Sequence, residues 1–232
     1  MKNLILSIAL AITAYTIQAQ TLEQIISKNL AARGGEDKLK KLTSLITEAT
    51  IDAQGMEMPI KTTVVQNKGL KFEMTIMGMD NYMVVSPKGG MSFFPVRGQS
   101  APEALPEEMT KAMSSRFDIQ GEFMNTKEKG TKYDLKGEAD IEGTKCFKID
   151  ATLADGKVKN IYIDKESFLI IRESMTIESE GQSTEQNANF GDYKNVDGYM
   201  IPHTIDAGMG KAKTKKVTIN SAIDEKIFEI KL

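Results

Sequence analysis

The stretch that decides the fold lies near the carboxyl end and reads Asn189-Phe190-Gly191-Asp192-Tyr193-Lys194-Asn195-Val196-Asp197-Gly198-Tyr199-Met200-Ile201-Pro202-His203. Its Asp197-Gly198 pair is a hairpin signal between two strand-like segments, because both residue types tolerate the turn geometry. Short alternating segments closed by turn residues fill most of the chain. Antiparallel strands joined in sequence order form a meander. The sequence therefore predicts one large antiparallel sheet.

The alternating segments suggest how large that sheet is. Residues 45–53 alternate between two faces, residues 67–69 (Asn-Lys-Gly) mark a hairpin, and Asp155-Gly156 marks another. About eleven strands are predicted in all. A twisted sheet of roughly ten strands tends to curl or close rather than stay flat.

Two helices that can cover the sheet are predicted, besides a short polar helix over residues 36–41. The first follows Thr21, which has capping-box spacing with Gln24, and it ends at Gly34-Gly35. The second opens at Pro106 inside a weakly periodic insertion. Its apolar stripe comprises Met109, Ala112, Met113 and Phe117. Polar residues alternate with apolar ones in residues 70–76, so one sheet face is dry, and the two helices are the available covers.

The first 19 of the 232 residues have the layout of a secretory signal peptide. Lys2 precedes an apolar run, residues 4–14, that is too short to span a bilayer of roughly 30 Å as a helix. Cleavage is expected after Ala19, with Thr16 as the alternative. Residues 20–232 are then expected to form a single domain. No second long apolar run follows and no cysteine lies near the cut, so neither a transmembrane span nor a lipid anchor is predicted.

Composition and motifs argue against several functional classes. The formal net charge is −2, with 30 basic and 32 acidic residues, which disfavours a nucleic-acid partner. His203 is the single histidine and Cys146 the single cysteine, so no internal disulfide forms and a zinc site lacks ligands. No nucleophile elbow or phosphate loop occurs. The protein is predicted not to be an enzyme and to need no cofactor or metal.

The positive signal for a site is methionine, which occurs 14 times while tryptophan is absent. Methionine is flexible and polarizable, and it lines surfaces that accept varied apolar partners. The alternative is a core with few aromatic residues that methionine fills. The cluster favours an apolar cavity between the sheet and the inserted helix, with Met79 in a turn. The candidate ligand-binding residues are Phe72, Met74, Ile76, Met79, Met83, Phe93, Met109, Met113 and Phe117.

The chain resembles the LolA/LolB-like periplasmic proteins, the outer-membrane lipoprotein-sorting type found in Bacteroidetes-type bacteria. The matching features are the leader ending Gln18-Ala19-Gln20, the helix end Ala31-Ala32-Arg33-Gly34-Gly35, Tyr162-Ile163-Asp164 before Phe168-Leu169-Ile170, Asp192–Gly198 before Ile201-Pro202, and residues 217–228 near the carboxyl end. They cover most of the chain after the leader.

The resemblance implies a mainly β (α+β) fold: a half-open antiparallel β-barrel of about eleven strands, with the amino-terminal helix and an inserted lid helix over its concave face. It implies a monomeric periplasmic carrier or chaperone that binds lipid or the acyl chains of lipoproteins. It further implies exchange with an inner-membrane releasing complex and an outer-membrane acceptor. Met109→Lys or Met113→Lys is predicted to weaken the binding of apolar cargo.

Two other functions remain open at this stage. A non-catalytic module that docks on a cell-envelope complex or peptidase would show an exposed apolar patch. A hydrolase that uses carboxylates would show a cleft with two converging acids of shifted pKa. The carrier is ranked first, the docking module second and the hydrolase third.

Overall fold

The structure, a computed structural model, describes residues 20–53, 55–179, 182–208 and 210–231. The predicted signal peptide, residues 1–19, lies outside the described residues. No helix in the described ranges is long and apolar enough to cross a membrane.

The described chain folds as one antiparallel sheet with short helices against it. The strands are β1 Ser44–Ala53, β2 Met56–Val65, β3 Gly69–Ile76, β4 Met79–Ser86, β5 Gly89–Phe93, β6 Glu103–Ala104, β7 Lys132–Ile141, β8 Thr144–Thr152, β9 Val158–Asp164, β10 Ile170–Ser179, β11 Gln182–Val196, β12 Tyr199–Asp206 and β13 Lys211–Ile219. The helices are α1 Leu22–Ala32, α2 Glu36–Leu39, α3 Glu107–Met113 and α4 Thr126–Lys129.

The sheet contains thirteen strands in the order β6-β5-β4-β3-β2-β1-β13-β12-β11-β10-β9-β8-β7 and is not closed. This confirms the predicted mainly β, half-open barrel. The count exceeds the predicted number of about eleven by two, and the two-residue strand β6 lies where an irregular segment was expected. Every neighbouring pair follows chain order except β1 with β13. Both free edges, β6 and β7, therefore flank the insertion between them, which runs from one edge of the sheet to the other.

Hairpin turns set the register of the strands. Asp197 and Gly198 have φ values of 50° and 85°, as the turn signal predicts. Met77 and Gly78 likewise have φ values of 51° and 76° and form the turn between β3 and β4. Met79 is therefore the first residue of β4, opposite Ile76, and its predicted place in a turn is wrong.

Helix α1 begins and ends where the sequence predicts. The Thr21 side chain accepts from the Gln24 backbone, and the Gln24 side chain accepts from the Thr21 backbone N–H, at 3.3 and 3.1 Å. Ile25 is fully buried and packs on Ile149 and Ile161 of β8 and β9. We call the sheet face beneath α1 the inner face.

The insertion covers the other part of the inner face. Phe117, in the 3-10 turn Ser114–Phe117 that follows α3, packs against Val64, Leu70 and Val85. Both predicted covers of the dry face are thus present. The buried anchor of the second is Phe117, since no residue of α3 itself is buried.

The outer face is also covered in part, which the prediction of one dry face did not include. Val84 of β4 and Met91 of β5 are buried there beneath Phe228, from the 3-10 turn Glu225–Phe228. Ile223, Ile227 and Ile230 pack beside it. The carboxyl-terminal segment is therefore part of the core, because β4 and β5 carry apolar residues on both faces.

Candidate functional site

The first part of the candidate site lies beneath residues 107–117, which we call the lid. Four of the predicted site residues meet there: Phe72 and Met83 from β3 and β4, and Met113 and Phe117 from the lid. Phe72 and Met83 lie directly opposite each other, and Phe117 is buried above the sheet. These four predicted residues therefore form a contact between the lid and the sheet.

Three further predicted residues lie on the same inner face, farther along the β3–β4 hairpin. Met74 is buried, Ile76 is half-buried and Met79 is 37% exposed. They share a face with Phe72 because strand residues two apart point the same way. Their exposure rises toward the Met77-Gly78 turn, so this end of the face is open.

The remaining two predicted residues are not brought to the site. Phe93 lies opposite Tyr82 on the outer face, with ring centroids 5.7 Å apart. Met109 is 48% exposed, because α3 turns Thr110 and Met113 toward the sheet instead. A helical stripe read from sequence fixes the spacing of apolar residues but not which of them the helix buries.

A line of apolar side chains crosses the inner face of five adjacent strands, and we call it the inner row. Cross-strand pairing aligns Phe190 with Ile205, Ile205 with Ala212, Ala212 with Ile51, and Ile51 with Met58. Ile51 is buried, while the others keep part of their surface exposed. Ile76 and Met79 continue the line on the next two strands, two residues beyond the Ile60–Met74 and Met74–Asn81 pairs.

The second part of the cover is residues 118–130, which we call the strap. Phe123 and Met124 are buried, the first against the α1 side of the core and the second against Leu39 and Tyr199. Ile119 packs in both neighbouring clusters. The strap thus crosses the inner face and joins its apolar clusters.

Gln66, directly after β2, fixes the start of the strap. Its Oε1 accepts from the backbone N–H groups of Ile119 and Gln120 at 2.7 and 3.3 Å, and its Nε2 donates to Asp118 at 2.8 Å. The Asp118 carboxylate also forms an ion pair with Lys129 inside the strap. These bonds hold the boundary between lid and strap against the sheet.

Charged side chains also lie on the inner face beneath the strap. Lys159 of β9 stands opposite Ala151, and Glu173 of β10 stands opposite Ile161, so both point into the apolar side. Lys159 forms ion pairs with Glu122 of the strap and, at 3.6 Å, with Glu173. Their side chains are 13%, 14% and 26% exposed, respectively. We call Arg33, Glu122, Lys159 and Glu173 the polar cluster.

The electrostatics of the polar cluster follow from its burial. Burial acts to lower the pKa of Lys159, but the carboxylates of Glu173 and Glu122 outweigh it and raise that pKa. Burial also raises the pKa of Glu173, against the opposing charge of Lys159. Tyr133 donates to Glu122 Oε1 at 3.1 Å, and burial together with that carboxylate raises the pKa of Tyr133. The ammonium of Lys159 is therefore the ion-pair partner of both carboxylates, Glu122 and Glu173.

Arg33, at the end of α1, is the fourth member of the cluster. Its Nη1 donates to the Gln120 carbonyl of the strap at 2.7 Å. Gly121 lies so close to the guanidinium that an added Cβ would stand 1.8 Å from Nη1, and its φ is +104°. Burial lowers the pKa of Arg33. Within the described ranges no carboxylate lies within ion-pairing distance of it.

Sequence reasoning missed the polar cluster, although part of its signal was present. Lys159 shares a strand face with Ile161 and Ile163, so a charge stands on an otherwise apolar face. Such a residue is a site candidate. Arg33 gave no comparable signal, since the end of a helix is an ordinary place for arginine.

The single histidine and the single cysteine of the sequence are part of the folded framework. His203 is buried, with Nδ1 3.0 Å from the Ile201 carbonyl of its own strand. Cys146 is fully buried, and burial raises the pKa of its thiol to about 11. Among the described residues, no three His, Cys, Asp or Glu side chains come together as a possible metal site.

Comparison with known proteins identifies the fold of this chain. No family model and no curated protein matches the sequence. Among solved structures, the chain is similar to a LolA superfamily protein from Nitrosomonas europaea, with a TM-score of 0.56 and 13% identity over 91% of this chain and 99% of that one. It is also similar to a DUF1329 family protein from Desulfovibrio piger, with a TM-score of 0.51 and 14% identity over 89% and 96%. The resemblance to LolA-type proteins is confirmed at the level of the fold.

Proposed function

We propose that the protein is a non-catalytic periplasmic carrier that binds lipid or lipoprotein acyl chains against its inner face. The observation that carries the proposal is the inner row, an aligned and partly exposed set of apolar side chains on five strands. A half-open barrel with such a face has an apolar surface that an acyl chain can cover.

The dimensions and chemistry of the inner row suit a long, flexible apolar ligand. Five strands spaced ~4.8 Å apart give a row roughly 19 Å long. Each methylene that leaves water for an apolar contact contributes about 0.8 kcal/mol. Met58 and Met79 at the open end add adaptable contacts, which suits cargo of varied chain structure.

The lid supports the same proposal. Helix α3 buries no residue, and the lid is held on the sheet through Met113 and Phe117. Elements with few buried contacts open at low free energy. In the proposal, the lid swings aside so that part of the chain reaches Phe72 and Met83.

The wider biological role is also part of the proposal. A monomer exported by the predicted leader would accept cargo from an inner-membrane releasing complex and deliver it to an outer-membrane acceptor. The fold alone hosts several functions, so these steps depend on the demonstration of bound lipid.

The first experiment is native mass spectrometry of protein purified gently from its own envelope, followed by organic extraction. A mass excess that resolves into acyl chains or an acylated peptide supports the carrier. An unliganded mass, with no lipid uptake by the delipidated protein, would reject it and favour the docking module.

A matched pair of variants then tests the inner row. Ile205→Asp places a charge within the row, next to its Phe190 end, whereas Thr204→Asp places the same charge on the outer face opposite Lys213. Ile205→Asp is expected to weaken lipid uptake at least tenfold, because a carboxylate must be desolvated beneath the chain. Thr204→Asp should bind as the parent does. Equal loss in both variants would contradict the assignment of the inner row.

The lid has its own variant. Met113→Lys removes an apolar contact with the Phe72–Met83 part of the face and is expected to weaken uptake. Met109 is exposed, so the structure predicts a smaller effect for Met109→Lys than the sequence did. Unchanged uptake in Met113→Lys would remove the lid from the binding site.

A further inference from the structure

The guanidinium of Arg33 is the least satisfied charge in the polar cluster. Guanidinium carries five N–H donors, and among the described residues the Arg33 side chain donates one hydrogen bond, to the Gln120 carbonyl. Both carboxylates of the cluster are ion-paired to Lys159. The Arg33 residue is half-buried, and desolvation lowers the pKa of its guanidinium. A cation that is taken out of water in part without a paired anion is costly.

We propose that Arg33 binds the anionic headgroup, a carboxylate or a phosphate, of an amphiphile whose acyl chain lies along the inner row. The inference rests on the proposed carrier function and adds the class of ligand. Guanidinium suits this task because its planar fork binds carboxylate and phosphate oxygens through paired hydrogen bonds.

The path from the inner row to Arg33 follows the register of β10 and β11. Phe190 ends the row on β11, and Ala188, two residues earlier, pairs with Glu173 of the polar cluster. Phe190 also packs against the core cluster that contains Phe123 of the strap. A tail that lies in the row with its head beyond Phe190 would place that head toward the strap, where Gln120 and Gly121 contact Arg33.

The surrounding charges favour an anion over a cation at this point. Lys159 already neutralises Glu122 and Glu173 in part, and its own charge repels an ammonium head. Glu173, Glu122 and Asp118 act on Arg33 through space, but Asp118 is held by Lys129. An anionic head bonded to Arg33 would supply the direct partner that the described residues do not.

The test compares three ligands of equal chain length on the delipidated full protein: a fatty acid, a monoacyl glycerol phosphate and an uncharged monoacyl glycerol. Each displaces a fluorescent lipid probe. The two anions are expected to bind roughly tenfold tighter than the uncharged ligand, the effect of one charge-assisted contact. A preference for one anion alone would assign the head as carboxylate or as phosphate.

Three variants assign the preference to Arg33. Arg33→Gln should bring the ratio of anionic to uncharged affinity near one while uncharged binding stays within about twofold. Arg33→Lys keeps the charge but not the fork, so it should retain part of the ratio. Arg97→Gln removes a charge from an exposed residue of the 3-10 turn Pro95–Arg97 and should leave the ratio intact. The ratio within one variant does not depend on how much of the protein is folded.

The possible failures are distinguishable. Equal parent affinity for all three ligands would overturn the role of Arg33 and leave the carrier standing. If Arg33→Gln weakened the binding of all three ligands equally, that result would also overturn headgroup binding by Arg33, because Arg33 would then act only by holding the strap. Failure of the parent to bind any of the three would reject the carrier function itself.

Discussion

The lid and the strap are consecutive in sequence and cover the same face, yet they are held in different ways. Helix α3 of the lid buries no residue, whereas the strap buries Phe123 and Met124 and joins an ion pair with Lys159. The cover therefore combines a helix that buries no residue, attached through Met113 and Phe117, with a strap whose side chains belong to the core. Gln66, which binds residues 118–120, marks the boundary.

The cause of the difference is visible in the local chemistry. Helix α3 has seven residues, too few to be stable without tertiary contacts. Its Glu107–Lys111 ion pair is exposed to water, which screens it. In the strap, the ring centroid of Phe123 instead lies 5.2 Å from that of Tyr133, and Gly121 lies directly against the Arg33 guanidinium. Stability here comes from burial rather than from helical propensity.

The largest expected effect comes from removing the aromatic anchor of the strap. Phe123→Ala should lower the free energy of unfolding by about 3–5 kcal/mol, because a buried ring is replaced by a cavity. Met109→Ala on the exposed side of α3 should change it by less than ~0.5 kcal/mol. Urea unfolding of both variants measures the difference. Similar losses would mean that the exposed side of α3 contributes as much to stability as the buried anchor of the strap.

The next effect isolates the contact between Gly121 and Arg33. Gly121→Ala forces a methyl group against the guanidinium at a positive φ, whereas Gly98→Ala meets a positive φ with open space around it. In both variants the free energy of unfolding should fall by about 1–3 kcal/mol because of the strained backbone. In Gly121→Ala it should fall further because the methyl group also meets the guanidinium. Urea unfolding of the two proteins gives the excess. Equal losses would show that Arg33 moves aside freely.

Alkaline pH should loosen the strap before the rest of the molecule. The pKa values of Tyr133 and Lys159 are raised in the folded protein, so their stabilising contribution is full below the unfolded pKa and is lost as pH rises through the folded one. The window therefore opens above about pH 10. Ultraviolet titration of tyrosinate, with Tyr133→Phe as control, should show Tyr133 ionising together with unfolding. Ionisation of Tyr133 at its ordinary pKa would contradict its place beneath the strap.

The smallest effect is expected on the lid surface. Lys111→Ala breaks the exposed pair with Glu107 and should not shift the urea midpoint measurably, since both groups are solvated. Hydrogen exchange of α3 should be faster than that of the strap in the parent and in this variant. Slow exchange in α3 would show that the lid is as fixed as the strap.

The sequence specified the local features of this fold. Asp197-Gly198 predicted its hairpin, Thr21 and Gln24 predicted the capping box, and Pro106 marked the start of the lid. These signals depend on residues close in sequence, so no tertiary information was needed. The partly open barrel came from the resemblance.

What escaped prediction depends on partners that are distant in sequence. Glu122 meets Lys159 across 37 residues, and Arg33 meets Gln120 across 87. Met79 was misplaced because the turn uses Met77, which takes an uncommon positive φ. The nine candidate residues follow from composition, which does not give the register between strands. That register places Phe93 on the outer face.

The pairing of β1 with β13 has a consequence for how the chain folds. The strands β1 to β6 and β7 to β13 form two meanders, and the long-range pairing of β1 with β13, from Leu45–Ile219 to Asp52–Lys211, joins them. Closing so large a loop is slow compared with forming hairpins. During synthesis from the amino end, one edge of β1 stays unpaired until the last strand, β13, has been made. Such an edge invites pairing with other chains, so this seam is where misassembly would begin.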